Sequence, residues 1–233
     1  MEAETAYHGE MGEQFAARAT TSAYNAYTDR PAMLRLAGDL GGLRVLDLGC
    51  GAGHYAAELL ERGAARVVGV DGSESLLRAA RARLGDRAAA ALHHHDLEEP
   101  LTFLADGSFD LVVMALVYHH VDARAQLLAE IRRVLRPGGT LLVSTTHPTA
   151  DWTYFGGSYF ADDRVTLPFG TGYAITYRRM TLETFLGELL AAGYVLEELA
   201  EPRATEEARR LDPGRYEKTH RAPTFVAVRL RRP

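Results

Sequence analysis

The chain has a single cysteine, Cys50, so no internal disulfide can form and a cysteine-rich zinc site is excluded. Lysine is equally scarce: Lys218 stands alone, and every other basic side chain is an arginine. No apolar run approaches the roughly 20 residues that span a bilayer. The opening MEAETAYHGEMGEQF is acidic and polar, unlike a secretory signal, so a cytoplasmic location is expected. Internal repeats and low-complexity linkers are missing. Positive charge is not in excess either. With 26 basic against 31 acidic residues the net charge is −5, which argues against a broad cationic surface for nucleic acid. Neither a nucleic-acid nor a membrane partner is therefore expected, and oligomeric state cannot be read. What is present is 47% hydrophobic content in 233 residues, enough for one substantial core and a single domain over 1–233.

Residues 1–40 read as a helical cap, with an amphipathic stretch from Tyr7 to Arg18 and a second helix opening at Pro31, where a missing N–H costs nothing. From Leu43 onward, strand-like runs alternate with helical patterns, as in a parallel sheet covered by helices. The predicted strands are Arg44–Leu48, Arg66–Val70, Ala89–His94, Phe109–Ala115, Thr140–Thr145, Val195–Leu199 and Phe225–Arg231. Helices are expected at 53–62, 74–84, 123–135 and 181–192. The last two strands are joined by a Pro-rich connection, which predicts a final antiparallel edge strand. Residues 43–146 then form the core, and 147–178 a loop-rich aromatic lid after the fifth strand. Residues 179–233 complete a seven-stranded α/β sheet.

The strongest local signal is Val45-Leu46-Asp47-Leu48-Gly49-Cys50-Gly51-Ala52-Gly53. A strand runs into three alternating glycines, and a helix opens at His54. Such glycines let the backbone turn sharply and approach a ligand. Further on, the second strand ends at Asp71, where a carboxylate can take both hydroxyls of a ribose. A dinucleotide would favour a glycine where His54 stands. Asp47 would repel a diphosphate but would suit an amino acid's ammonium. The pattern therefore favours S-adenosylmethionine over NAD.

The string VLDLGCGAG resembles motif I of the class I, Rossmann-like methyltransferases that use S-adenosylmethionine, and GVDGSESLL resembles the ribose segment that follows. His95-Asp96-Leu97, GSFDLVV and VLRPGGTLLVS are similar to the later motifs, in order, over about 43–146. The resemblance implies a Rossmann-like sheet and places Gly49, Gly51 and Gly53 against the methionyl part of the cofactor. Asp47 would help hold the ammonium, and Asp71 with Gly72 the ribose. Asp96 and Leu97 would address the adenine, while Ala115 and Leu116 would border the sulfonium. S-adenosylhomocysteine would be the product.

Two histidines are candidates for catalysis. His147 follows the fifth strand and reads either as a general base or as a loop histidine capping backbone. His120 is the second base candidate, whereas His119 reads as pocket lining. His93, His94 and His95 alternate faces and do not make a metal site. Cys50 reads as packing. Tyr7, Tyr24, Asn25 and Tyr27 could fold over the cofactor, and Tyr24, Trp152 and Tyr154 are the candidate substrate residues. The expected activity is methyl transfer to O or N of a small-molecule acceptor. The alternatives are an S-adenosylmethionine-binding protein that transfers no methyl, cyclase-like or regulatory, and a methyltransferase acting on RNA or protein.

Overall fold

The computed structural model describes residues 7–169 and 172–233. In chain order the elements are α1 (Gly9–Ala19), a π-helical turn (Asn25–Asp29), α2 (Arg30–Ala37), β1 (Arg44–Leu48), α3 (His54–Glu61), β2 (Arg66–Asp71), α4 (Glu74–Leu84), β3 (Ala90–His94) and β4 (Phe109–Ala115). After a short 3-10 turn at Tyr118–His120 come α5 (Arg124–Val134), β5 (Leu135–Thr146), α6 (Pro148–Phe155), β6 (Arg164–Phe169) and β7 (Tyr173–Arg178). The chain ends with α7 (Leu182–Ala191), β8 (Val195–Ala200), α8 (Glu206–Leu211), α9 (Pro213–Arg221) and β9 (Phe225–Arg231).

Seven strands pair in the order β3-β2-β1-β4-β5-β9-β8. The central strands are continuously apolar because both faces are covered: Val45, Leu46 and Leu48, like Leu111 to Met114, are fully buried. One core packs α5 and α7 against one face, and the other packs α2 and α3 against the opposite face. Local chemistry fixes the ends. Ser73 caps α4 by accepting from the Leu76 amide, Thr181 caps α7 through the Thr184 amide, and Pro31 sits in the first turn of α2. The chain leaves β1 toward β2 on one side and reaches β4 on the other, so the carboxyl ends of β1 and β4 flank a crevice. That is where such sheets bind ligands.

Four expectations are corrected. β9 is antiparallel, but it lies between β5 and β8, so β8 is the edge strand. The β8–β9 connection is helical. Pro213 opens α9 under an Asp212 cap, so that proline starts a helix instead of opening a loop. The lid is a helix and a hairpin. His147 caps α6, Pro148 occupies its first turn and Gly156 ends it, while Ile175 and Tyr177 alternate with exposed residues along β7. β5 also starts earlier than expected, because Leu135 pairs with Phe109 across a register shift.

The N-terminal segment and the 147–178 insert form a small core of their own. Met11, Val165, Ile175 and Tyr177 are buried together, with Tyr7, Phe155, Leu167 and Tyr173 packed around them.

Candidate active site

The glycine turn is pinned to β2 by the Gly49 and Cys50 amides, which donate to the Val70 carbonyl at 2.7 and 3.0 Å. Its three glycines all have positive φ, but for different neighbours. A Cβ on Gly49 would lie 2.2 Å from Val117 Cγ2, and one on Gly53 would lie 3.0 Å from Ala80 Cβ. A Cβ on Gly51 would meet no protein atom within 4 Å. Gly49 and Gly53 thus serve packing, and Gly51 keeps a bare backbone facing the crevice. Cys50 is buried, and burial pushes its thiol well above the usual range, in keeping with a packing role.

Asp71 is buried at the end of β2. One carboxylate oxygen accepts from the Gly51 amide and the other from the Ser73 amide, both at 2.8 Å. Each oxygen keeps a second lone pair for a hydroxyl. Gly72 is buried beside it, its carbonyl accepting from His94 Nε2 at 2.9 Å. Asp96 is half-buried and folds a local turn by accepting from the Glu98 amide at 3.0 Å, with Leu97 packed on the core. His93 and His95 flank the ring of Phe103. Among the described residues, no group of three or more His, Cys, Asp or Glu side chains could hold a metal.

Asp47 is the most perturbed of the predicted acids. Burial pushes it up to about 7, with Asp71 adding to the rise. One of its oxygens has no partner in the protein. Close by lie Asp29 and Arg30, which the sequence reading missed. Asp29 is 1% exposed and is pushed up to about 6 by burial, although Tyr55 donates to it at 2.6 Å and Ser144 also bonds it. Its other oxygen is an orphan, as is the buried Nε of Arg30. The rest of that guanidinium is held by Glu58 at 3.2 Å and the Ala19 carbonyl at 3.3 Å. An Asp-Arg before Pro31 reads as an ordinary helix start, so nothing in the sequence announces its burial. The π-helical turn is what carries Asp29 inward.

Ala115 and Leu116 end β4 at the crevice. Leu116 is the one non-glycine with positive φ among the described residues, at 58°. A left-handed leucine costs about 1–2 kcal/mol. Its amide is fixed on the carbonyl and hydroxyl of Ser144, at 3.0 and 3.1 Å, and the same serine bonds Asp29. Strain of this kind collects where backbone is shaped for a ligand.

Beyond β4, His120 is packed against Tyr7, His119 and Tyr177, with centroid distances of 5.8, 4.3 and 6.1 Å. Burial lowers it to about 4, helped by Arg164, so the imidazole is neutral, and its buried Nδ1 has no partner. His119 is tied to Thr145 at 2.9 Å. Asp151, not singled out in the sequence as a site residue, accepts from Tyr177 at 2.7 Å and Thr146 at 2.9 Å.

The side chain of His147 has other partners. Its Nδ1 accepts from the Thr149 amide at 3.2 Å as the cap of α6, and Nε2 faces Glu201 at 3.2 Å. Both nitrogens are thus engaged, as in the backbone-capping alternative. Trp152 and Tyr154 are 44% and 60% exposed, and the structure does not bring them to the crevice. Pro148 and Asp151 of α6 are buried and Phe155 packs on the small core, whereas Trp152 donates its Nε1 to the Gly157 carbonyl at 3.1 Å and packs on Tyr159. Tyr24 packs on Phe225 at 6.0 Å, beyond the end of β5, with Arg215 over its ring.

A seven-stranded sheet with this glycine turn, a buried carboxylate at the end of β2 and a buried polar niche defines a Rossmann-like α/β domain. A family model described as a methyltransferase domain matches residues 46–143. A demethylmenaquinone methyltransferase of Lactococcus lactis is 34% identical over 123 residues, 52% of this chain and 49% of its own length. A ubiquinone biosynthesis O-methyltransferase of Aromatoleum aromaticum is 36% identical over 106 residues, 46% of this chain and 45% of its own. An S-adenosylmethionine-dependent methyltransferase structure from Mesorhizobium loti is 28% identical with a TM-score of 0.71, covering 92% of this chain and 100% of that one. Over residues 46–143 the chain matches the methyltransferase-domain family, and its fold is similar to that of S-adenosylmethionine-dependent methyltransferase structures. It spans about half the length of the curated relatives it matches.

Proposed function

We propose that this chain transfers a methyl group from S-adenosylmethionine to an oxygen or nitrogen of a small-molecule acceptor. The observation that carries this reading is the pairing of two unlike orphan groups. On the cofactor side, buried Asp47 and Asp29 oxygens and the Arg30 Nε lack partners, and on the acceptor side the neutral His120 Nδ1 does. The first set matches an amino-acid zwitterion: the carboxylates suit its ammonium and the guanidinium its carboxylate. Asp71 with Gly72 would hold the ribose, Asp96 and Leu97 the adenine edge, and Gly49, Gly51 and Gly53 the methionyl chain. Ala115 and the strained Leu116 would border the sulfonium.

The cofactor supplies an electrophilic methyl on sulfur and leaves as a neutral thioether, S-adenosylhomocysteine. The protein's work is then mainly to hold the acceptor in line and exclude water. Within this chain, His120 Nδ1 would take the proton that the acceptor gives up on methylation. Of the two candidate bases, the geometry favours His120, because both nitrogens of His147 already serve the cap and Glu201. The quinone-related names of the relatives support a small, ring-bearing acceptor. Among the described residues no helix is long and apolar enough to cross a membrane.

The test combines calorimetric titration with S-adenosylmethionine, S-adenosylhomocysteine and NAD with labelled-methyl transfer to small acceptors. Binding of the first two and transfer to a small molecule would support the reading. Binding without transfer to any fraction would favour the non-transferring alternative, and label in RNA or protein the macromolecular one.

A further inference from the structure

Tyr7 stands at the seam between the two halves of the site. Its carbonyl accepts from Ser73 Oγ at 2.5 Å and from Ser75 Oγ at 3.3 Å. Ser73 is also the residue whose amide fixes the carboxylate of Asp71, at 2.8 Å. The backbone of Tyr7 is therefore tied to the segment Ser73–Ser75, whose first residue shapes the ribose site. Its ring meets Phe15 of α1 at 4.4 Å and lies edge-on to His120 at 5.8 Å. Burial and the charge of Asp71 both push the phenol above its usual range, which places that side chain within the electrostatic reach of the ribose carboxylate.

The segment is clipped from above as well. Tyr173 on the hairpin donates to Glu10 of α1 at 2.9 Å, and Met11 is buried with Val165, Ile175 and Tyr177. A Cβ on Gly12 would lie 2.3 Å from Ser75 Oγ and 2.4 Å from the Tyr7 carbonyl, so the cap sits hard against the start of α4. Cap, lid, ribose carboxylate and acceptor-side histidine thus converge on one residue.

We propose that Tyr7 is a positioning residue whose ring latches the site shut between Asp71 and His120, so that cofactor release requires the cap to lift from the lid. The inference uses the cofactor placement of the proposed function, and its test needs no acceptor. A latch slows escape more than entry, so its removal shows in the dissociation rate.

The experiment measures S-adenosylhomocysteine association and dissociation by stopped flow for the full chain and for Tyr7→Ala, Tyr7→Phe and Tyr173→Phe. Tyr7→Ala should release the ligand about 10-fold faster, and Tyr7→Phe, which keeps the ring, should stay within roughly 3-fold of the parent. Tyr173→Phe cuts only the clip to Glu10 and should fall between them. Failure of the parent to bind S-adenosylhomocysteine at all would sink the cofactor placement itself. Normal binding with an unchanged dissociation rate in Tyr7→Ala would overturn the latch alone, and so would Tyr7→Phe behaving like Tyr7→Ala.

Discussion

If Asp47 holds the cofactor's ammonium as proposed, affinity should depend on pH in a window set by burial. In the ligand-free protein its carboxyl is pushed up to about 7, and Asp29 follows at about 6. Below pH 7 both niches are increasingly protonated and neutral. An ammonium seated there favours the ionised forms, so binding must expel a proton. Affinity should therefore rise as pH rises toward 7 and flatten above it, by up to roughly tenfold per pH unit for each carboxyl that must ionise. The folding linkage has the opposite sign. The folded pKa is raised above the unfolded value of 3.8, so the contribution to stability is full below that value and is lost as pH climbs through 7. Titration calorimetry with S-adenosylhomocysteine between pH 5.5 and 8, in buffers of different ionisation enthalpy, reads the proton directly. About one proton should be released per ligand at pH 6. Asp47→Asn should bind more weakly and lose most of the slope between pH 6 and 7. Flat affinity across the range, or no proton release, would refute the placement of the ammonium beside these carboxylates.

Gly49→Ala should lower the thermal midpoint, because its Cβ would lie 2.2 Å from Val117 Cγ2, whereas Gly51→Ala should stay folded and lose cofactor affinity in calorimetry. Asp71→Ala should weaken S-adenosylmethionine binding by tenfold or more, since it removes the ribose acceptor and frees the Gly51 and Ser73 amides. In steady-state assays, His120→Gln should cut turnover by roughly 10²–10⁴ with cofactor affinity within a few-fold. His147→Ala should instead cost about 1 kcal/mol of stability through the lost cap of α6, seen in thermal melts, while turnover is largely kept.

The Rossmann-like core was legible because its signals are local. Val45-Leu46 before Gly49 and Arg66–Asp71 before Ser73 carry strand, turn and cap within a few residues, and the observed elements follow them closely. Two things were not local. The place of β9 inside the sheet depends on its pairing with Thr140–Thr146, a partner some 85 residues away in sequence. The burial of the 147–178 insert depends on α6 being a helix and on the hairpin that follows: read as a loop, its most conspicuous aromatics, Trp152 and Tyr154, looked like pocket residues, yet both are exposed while Pro148 and Asp151 are buried. Asp29 and Arg30 were invisible for a related reason. Charged residues before a proline ordinarily face solvent, and only the π-helical turn and its contacts with Tyr55, Ser144 and Glu58 bury them. Asp151 likewise gains its role through Tyr177, 26 positions on.

The most direct test of the central claim is to follow labelled methyl from S-adenosylmethionine when the protein is incubated with a bacterial extract separated into low-mass, protein and RNA fractions. Label should enter the low-mass fraction with the parent chain and fall sharply with His120→Gln. Label confined to protein or RNA, or none anywhere although S-adenosylhomocysteine binds, would contradict a small-molecule methyltransferase.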